Sequence, residues 1–280
     1  MRWGLGVMSL AIFLALPSAV GAGADKPAIT TLYPIAHPRG LIVTSAGWPY
    51  CQQMRKLAPR SGYALLCGRF WKDGYTGVHL RDLRHLDWGD PGYLSAFAQI
   101  IRATHKQIGG KLVLLGVSGS GFAVATLAAH HPEIRPDRLI VIDSYLDLLA
   151  RRLALSPTQK TAREIDEETG GSAAALKARS VSASGLATLV RHGTKLAVIW
   201  SVSAGEQREF NGATCDLDAN AATLSRLAQT LGSPVRAWVT TGRHGYDLWN
   251  HGAAIMAGRY PGRAVSFGSD GRIPPGSVCK

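Results

Sequence analysis

The chain has 280 residues, 46% of them apolar and 18% charged, with 31 Lys and Arg against 19 Asp and Glu for a formal net charge of +12. That balance excludes a disordered or fibrous chain, and the length is ample for one large domain with its own core. The basic residues are dispersed, with no Lys/Arg block and no aromatic-basic alternation. This argues against nucleic-acid binding and leaves an anionic envelope surface as the partner that charge alone suggests.

Arg2 precedes the apolar stretch Leu5 to Leu16, and the small residues Ala22, Gly23 and Ala24 stand before Asp25. A short positive region, about a dozen apolar residues and an A-x-A site read as a secretory signal peptide over 1–24, because a membrane span needs about 20 apolar residues. The expectation is a secreted or periplasmic protein, an uncleaved N-terminal membrane anchor being the alternative. Residues 25–280 then form the folded domain. Cys51, Cys67, Cys215 and Cys279 are an even number in an exported chain and predict two disulfides. Of three possible pairings, Cys51 with Cys67 and Cys215 with Cys279 is favoured, since each would staple a loop to a neighbouring element. No C-x-x-C occurs, and no histidine pair has metal-ligand spacing in a suitable context, so no metal site is expected.

The β-branched run GLIVTS, Gly40 to Ser45, predicts a buried strand, and it ends in the turn GWP. Pro49 has no N–H, so a backbone donor at this turn comes from Gly47 or Trp48. Tyr63 to Gly68 reads as the next strand. Residues 69–90 form a long polar and aromatic loop, and Asp90-Pro91 reads as the start of a helix that continues to Ile108 with apolar residues at helical spacing.

Lys111 to Gly116 predicts a buried strand and Phe122 to His130 an Ala-rich helix, with GVSGSG between them. A strand that reverses at once into a helix needs small residues on both sides of the turn, and the small-x-Ser-x-small spacing about Ser118 is that of a nucleophile elbow. A phosphate-binding loop would need a lysine and a hydroxyl where Phe122 and Ala123 stand, and a dinucleotide fingerprint would need glycine in place of Val124. Acyl transfer needs two N–H groups aimed at the developing negative charge. Gly119 would supply one and Trp48 the other.

Arg138 to Ile142 is a further strand, ending at Asp143. The composition shift over 145–192 suggests an inserted helical cap, whose Glu164, Asp166, Glu167 and Glu168 read as a solvated face. Lys195 to Ser201 is the next strand, followed by a loop carrying Glu206. A helix over 219–231 leads to the last core strand, Pro234 to Thr240, and then to GRHGYD. His244 therefore stands after the final core strand, where an imidazole can serve as the base a serine hydroxyl requires. His251, seven residues on, is expected within the last helix.

These motifs together resemble the α/β-hydrolase superfamily: GVSGSG the elbow, SAGWP the oxyanion turn, VIWSVSAGE the strand and acid loop, GRHGYD the histidine loop. The resemblance spans residues 28–258 in the family's order of serine, acid, histidine. It implies an α/β fold with a mostly parallel central sheet flanked by helices, a helical cap insertion, and a serine hydrolase that needs no cofactor. Ser118 would be the nucleophile and His244 the base, acting on a small-molecule or lipid-like ester, less readily an amide. Two carboxylates compete to orient the histidine. Glu206 follows the strand after which the family usually places its acid and is favoured; Asp143, after the preceding strand, is the alternative. A catalytically silent binding protein of the same fold, acting at the cell envelope, is the other reading.

Overall fold

A computed structural model describes residues 30–46, 50–69, 89, 91–201, 216–241 and 245–272. They build one eight-stranded sheet with helices on both faces. In chain order the strands are β1 (Thr30–Tyr33), β2 (Gly40–Ala46), β3 (Ala64–Arg69), β4 (Lys111–Val117), β5 (Arg138–Ile142), β6 (Lys195–Ser201), β7 (Val235–Thr240) and β8 (Arg263–Phe267). Across the sheet they lie β1-β3-β2-β4-β5-β6-β7-β8. The six inner strands are parallel, while β1 against β3 and β8 against β7 are antiparallel. The expected parallel strands are thus all present. The two antiparallel edges were not expected from the sequence.

The helices are α1 (Tyr50–Arg60), α2 (Pro91–Ile108), α3 (Gly119–His130), α4 (Leu148–Ala154), α5 (Lys160–Thr169), α6 (Ala173–Arg179), α7 (Ala183–Arg191), α8 (Asp216–Leu231) and α9 (Tyr246–Met256). Local chemistry starts and stops several of them. Pro91 opens α2 at a position where its missing N–H costs nothing. Asp147, Ser172 and Ser182 cap α4, α6 and α7 by accepting from the N–H of Ala150, Ala175 and Gly185. His251 lies within α9, as expected.

Two apolar layers enclose the sheet. Leu41, Val43, Leu112, Leu114, Leu139 and Val141 point to the face covered by α2, α3, α7 and α8. Ile42, Val113, Leu115, Ile140 and Ile142 point to the face covered by α1 and α9. The alternation follows from the two-residue period of a strand, and parallel strands buried on both faces read as unbroken apolar runs. Helix α3 is apolar all round and buried from Ser120 to Ala129, which suits a helix enclosed by neighbours.

Four helices, α4 to α7, occupy the stretch 145–192. Their buried residues, among them Leu148, Ile165, Leu176 and Leu189, belong to the same core as α3 and α8, and α7 packs on both of those helices. Asp166 is only partly solvated and is paired. It accepts from Arg152 Nε at 2.7 Å and Nη2 at 2.5 Å, joining α5 to α4, and this hydrogen bond holds the Arg152 guanidinium above its ordinary pKa.

Cys51 and Cys67 form a disulfide, with Cα atoms 6.1 Å apart, between the first turn of α1 and β3. Cys215 and Cys279 fall outside the described residues. Among the described residues no helix is long and apolar enough to cross a membrane. The Cys51–Cys67 bridge closes a loop of 16 residues, for which chain-entropy arguments give about 3 kcal/mol. The Cys51→Ala/Cys67→Ala double variant should therefore unfold in denaturant with a stability lower by about that amount, and reductant should then have no further effect through this bridge. An unchanged midpoint would refute the estimate.

Candidate active site

The site begins at the end of β4. Ser118 follows Val117 and caps α3 with φ 56° and ψ −133°, a left-handed φ that a non-glycine residue adopts only under constraint and at a cost on the order of 1–3 kcal/mol. Its backbone is held on both sides. Its N–H donates to Ile142 O at 3.0 Å, and its carbonyl accepts from Phe122 N–H at 3.1 Å. The serine side chain does not cap its own helix. The N–H groups of the first turn of α3, Gly119's included, have no intrahelical acceptor and lie at the positive end of the helix dipole.

The sharpness of this turn depends on two glycines. A Cβ on Gly116 would sit inside the contact distance of the Ser120 carbonyl, and one on Gly121 would come within 2.6 Å of Ser144 Cβ. Ser120 itself is tolerated. Its side chain is buried, with Oγ 3.4 Å from Thr44 Oγ1 on β2.

Beside the elbow stands a second constrained residue. In the β4–β5 register Val117 lies opposite Ile142, so the next pair along the two strands is Ser118 and Asp143. Asp143 also has a positive φ, 46°, and its N–H donates to Ile199 O of β6 at 2.8 Å. Aspartate tolerates this region better than most residues. The turn aims its carboxylate across the strand ends: Asp143 Oδ2 accepts from Gly245 N–H at 2.7 Å. That amide belongs to the peptide linking Gly245 to residue 244. Ser118, Gly119 and Asp143 are thus gathered at the C-terminal edge of the sheet, with the start of α9 alongside. Trp48, Glu206 and His244 lie outside the described residues.

The turn after Asp143 is secured by a residue that no sequence pattern singles out. Asn220, fully buried on α8, donates from Nδ2 to Ser144 O at 2.6 Å and accepts at Oδ1 from Leu146 N–H at 2.8 Å. One amide thereby satisfies a donor and an acceptor that burial would leave costly. No periodicity or motif marks an asparagine in a helix as the clasp of a distant turn, so its partners are visible only in the folded chain. Among the described residues no group of three or more His, Cys, Asp or Glu is placed to hold a metal ion.

No family model matches the sequence, and no curated protein sequence matches it. Solved structures do. An acylaminoacyl peptidase from Pyrococcus horikoshii superposes with a TM-score of 0.54 at 16% identity, over 82% of this chain and 37% of the peptidase. A glycosylation associate protein complex from Streptococcus agalactiae gives 0.50 at 17% identity, over 82% of this chain and 43% of the other. The esterase domain of a Rhodothermus marinus protein gives 0.47 at 18%, over 82% and 91%. The chain has the α/β-hydrolase fold. It spans little more than a third of the peptidase's length, so the likeness concerns the domain and its architecture. In this fold Ser118 occupies the strand-to-helix turn between β4 and α3, and Asp143 follows the end of the adjacent strand β5.

The clasp can be tested through the site it supports. Asn220→Ala leaves the Ser144 carbonyl and the Leu146 N–H buried without their partner, and should lower stability by about 1–3 kcal/mol in denaturant unfolding. Asn220→Asp keeps the shape and the acceptor while removing the donor. It should also destabilise, and a variant as stable as wild type would refute the clasp.

Proposed function

We propose that the chain is an exported serine hydrolase that cleaves an ester, with Ser118 as nucleophile, His244 as general base and then acid, and Asp143 orienting the imidazole. The observation that carries this reading is the pairing of two backbone-constrained residues, Ser118 and Asp143, on adjacent strand ends, with the Asp143 carboxylate bound to the amide next to residue 244. The adjacent position favours Asp143 over Glu206, since a carboxylate already docked on the Gly245 N–H has the histidine loop within its reach. The likeness of fold to an acylaminoacyl peptidase agrees with a hydrolase. Export is supported by the Cys51–Cys67 disulfide, which persists in oxidising compartments.

In this reading Ser118 Oγ attacks the ester carbonyl carbon while its proton passes to His244. The carbonyl oxygen takes the negative charge and is held by the N–H groups of Gly119 and Trp48. Collapse of the tetrahedral intermediate breaks the C–O bond, and the alcohol leaves with the proton from His244. Water then attacks the acyl-enzyme, giving its proton to His244. The second collapse releases the acid and returns the proton to Ser118. Asp143 keeps the imidazole in the required tautomer and offsets the charge it acquires. The backbone strain at Ser118 presents the hydroxyl at the mouth of the site before substrate arrives.

A fluorophosphonate probe should label the wild-type protein, and labelling should vanish in Ser118→Ala; an unlabelled, folded wild type would overturn the assignment. With p-nitrophenyl butyrate, Asp143→Asn should lower kcat on the order of 10³-fold, whereas Glu206→Gln should leave it near wild type. The opposite order would return the orienting role to Glu206.

A further inference from the structure

The opposite edge of the sheet carries a feature that hydrolysis does not use. Strand β4 runs from Lys111 to Val117, so its start lies about 20 Å from the elbow. There a cleft of about 650 Å³ opens between the feet of β2, β4, β5 and β6 and the end of α9. Arg39, Lys111, Arg138 and Lys195 line it, together with Tyr63 and a single carboxylate, Asp137.

The strand register explains why these cations converge. Arg138 lies opposite Lys195, and also opposite Val113, which stands two residues after Lys111. By the two-residue period, Lys111, Arg138 and Lys195 all point to one face of the sheet, the side covered by α1 and α9. Arg39 joins them from the loop before β2, with its guanidinium 4.7 Å from the centre of the Tyr63 ring. The main chain ties the four positions together, Lys111 N–H donating to Arg39 O at 3.0 Å and Lys195 N–H to Asp137 O at 3.0 Å.

Two local negative features are already neutralised. The Asp137 carboxylate accepts from Leu112 N–H at 2.8 Å and from Lys111 Nζ at 3.0 Å. Desolvation would raise its pKa, but these two hydrogen bonds together with the Lys111 charge and His105 outweigh it and hold the group below the ordinary carboxylate value. The C-terminal end of α9, which would repel an anion, is covered by Arg138, whose Nη1 and Nη2 both donate to Met256 O at 2.9 Å. Four cations thus face one carboxylate whose oxygens are engaged, in a concave space with an aromatic wall.

We propose that this cleft binds a phosphate-bearing ligand, independently of catalysis at Ser118. Phosphate is the matching chemistry: it offers several acceptor oxygens and more than one negative charge to lysines and arginines fixed at neighbouring strand ends. A soluble phosphorylated molecule and an anionic lipid headgroup would both present it.

Calorimetric titration of the full chain with inorganic pyrophosphate at low ionic strength tests the site. Wild type should bind, Lys195→Glu should weaken binding by about tenfold or more, and Lys177→Glu should not, although it makes the same charge change on α6 over the other face. Ester turnover should be the same in all three proteins. Flotation with phosphatidylglycerol vesicles, against phosphatidylcholine, identifies the source. Pyrophosphate binding without vesicle binding indicates a soluble ligand. Vesicle binding lost in Lys195→Glu indicates a headgroup. Failure of wild type to bind either, or equal weakening by the two lysine variants, overturns the proposal and leaves only diffuse surface charge.

Discussion

The lateral hydrogen-bond register of β4, β5 and β6 is the constraint on which the site depends. Val117 lies opposite Ile142 and Ile142 opposite Ile199, and β4 and β5 each end one step before a residue that turns out of the sheet. Ser118 N–H reaches back to Ile142 O and Asp143 N–H to Ile199 O, so each turn is anchored on the neighbouring strand. A slip of one residue would reverse every side chain, sending Ile140 and Ile142 into the other core and turning both polar residues away. The apolar layers on the two faces forbid that slip, since both are buried. Precision at the strand ends is thus inherited from the core.

That precision supports strain. Ser118 and Asp143 both hold positive φ values, and neither is glycine. Glycine is placed instead where space is the limiting quantity, at 116 and 121, so that α3 can approach β4 and the turn after β5. Asn220 closes the arrangement from α8, and Ser120 meets Thr44 from β2. The elbow is therefore braced by three elements distant in sequence. The Cys51–Cys67 bridge adds a fourth restraint, fixing the start of α1 to β3.

Parallel strands give the sheet two unlike edges. At the C-terminal edge the chain places a serine, a carboxylate and helix N-termini; at the N-terminal edge it places Lys111, Arg138 and Lys195 at the first positions of their strands. Helices that begin at one edge must end at the other, so their carbonyl ends gather beside those cations. Arg138 on the last carbonyls of α9 is one consequence. The polarity of the fold thereby places Ser118 and Asp143 at one edge and the cations at the other.

Much of this was legible in the residues. Apolar runs of strand length marked β2 to β7 because parallel strands are buried on both faces, and GVSGSG marked the elbow because only small residues permit that turn. The edges β1 and β8 were missed since TTLY is short and partly exposed and RAVSF gains its stability from pairing with β7. The pairing of Asp166 is invisible in the sequence, because only the fold brings Arg152 of α4 to it. Spacing along the chain by itself determined the six parallel strands, the position of Ser118 and the two candidate acids. Only the tertiary structure decided that Asp143 reaches the Gly245 amide, that Asn220 clasps the adjoining turn, and that four cations meet at one cleft. The reason is geometric: sequence specifies neighbours along a strand, whereas contacts between strand ends depend on register and on which face each helix covers.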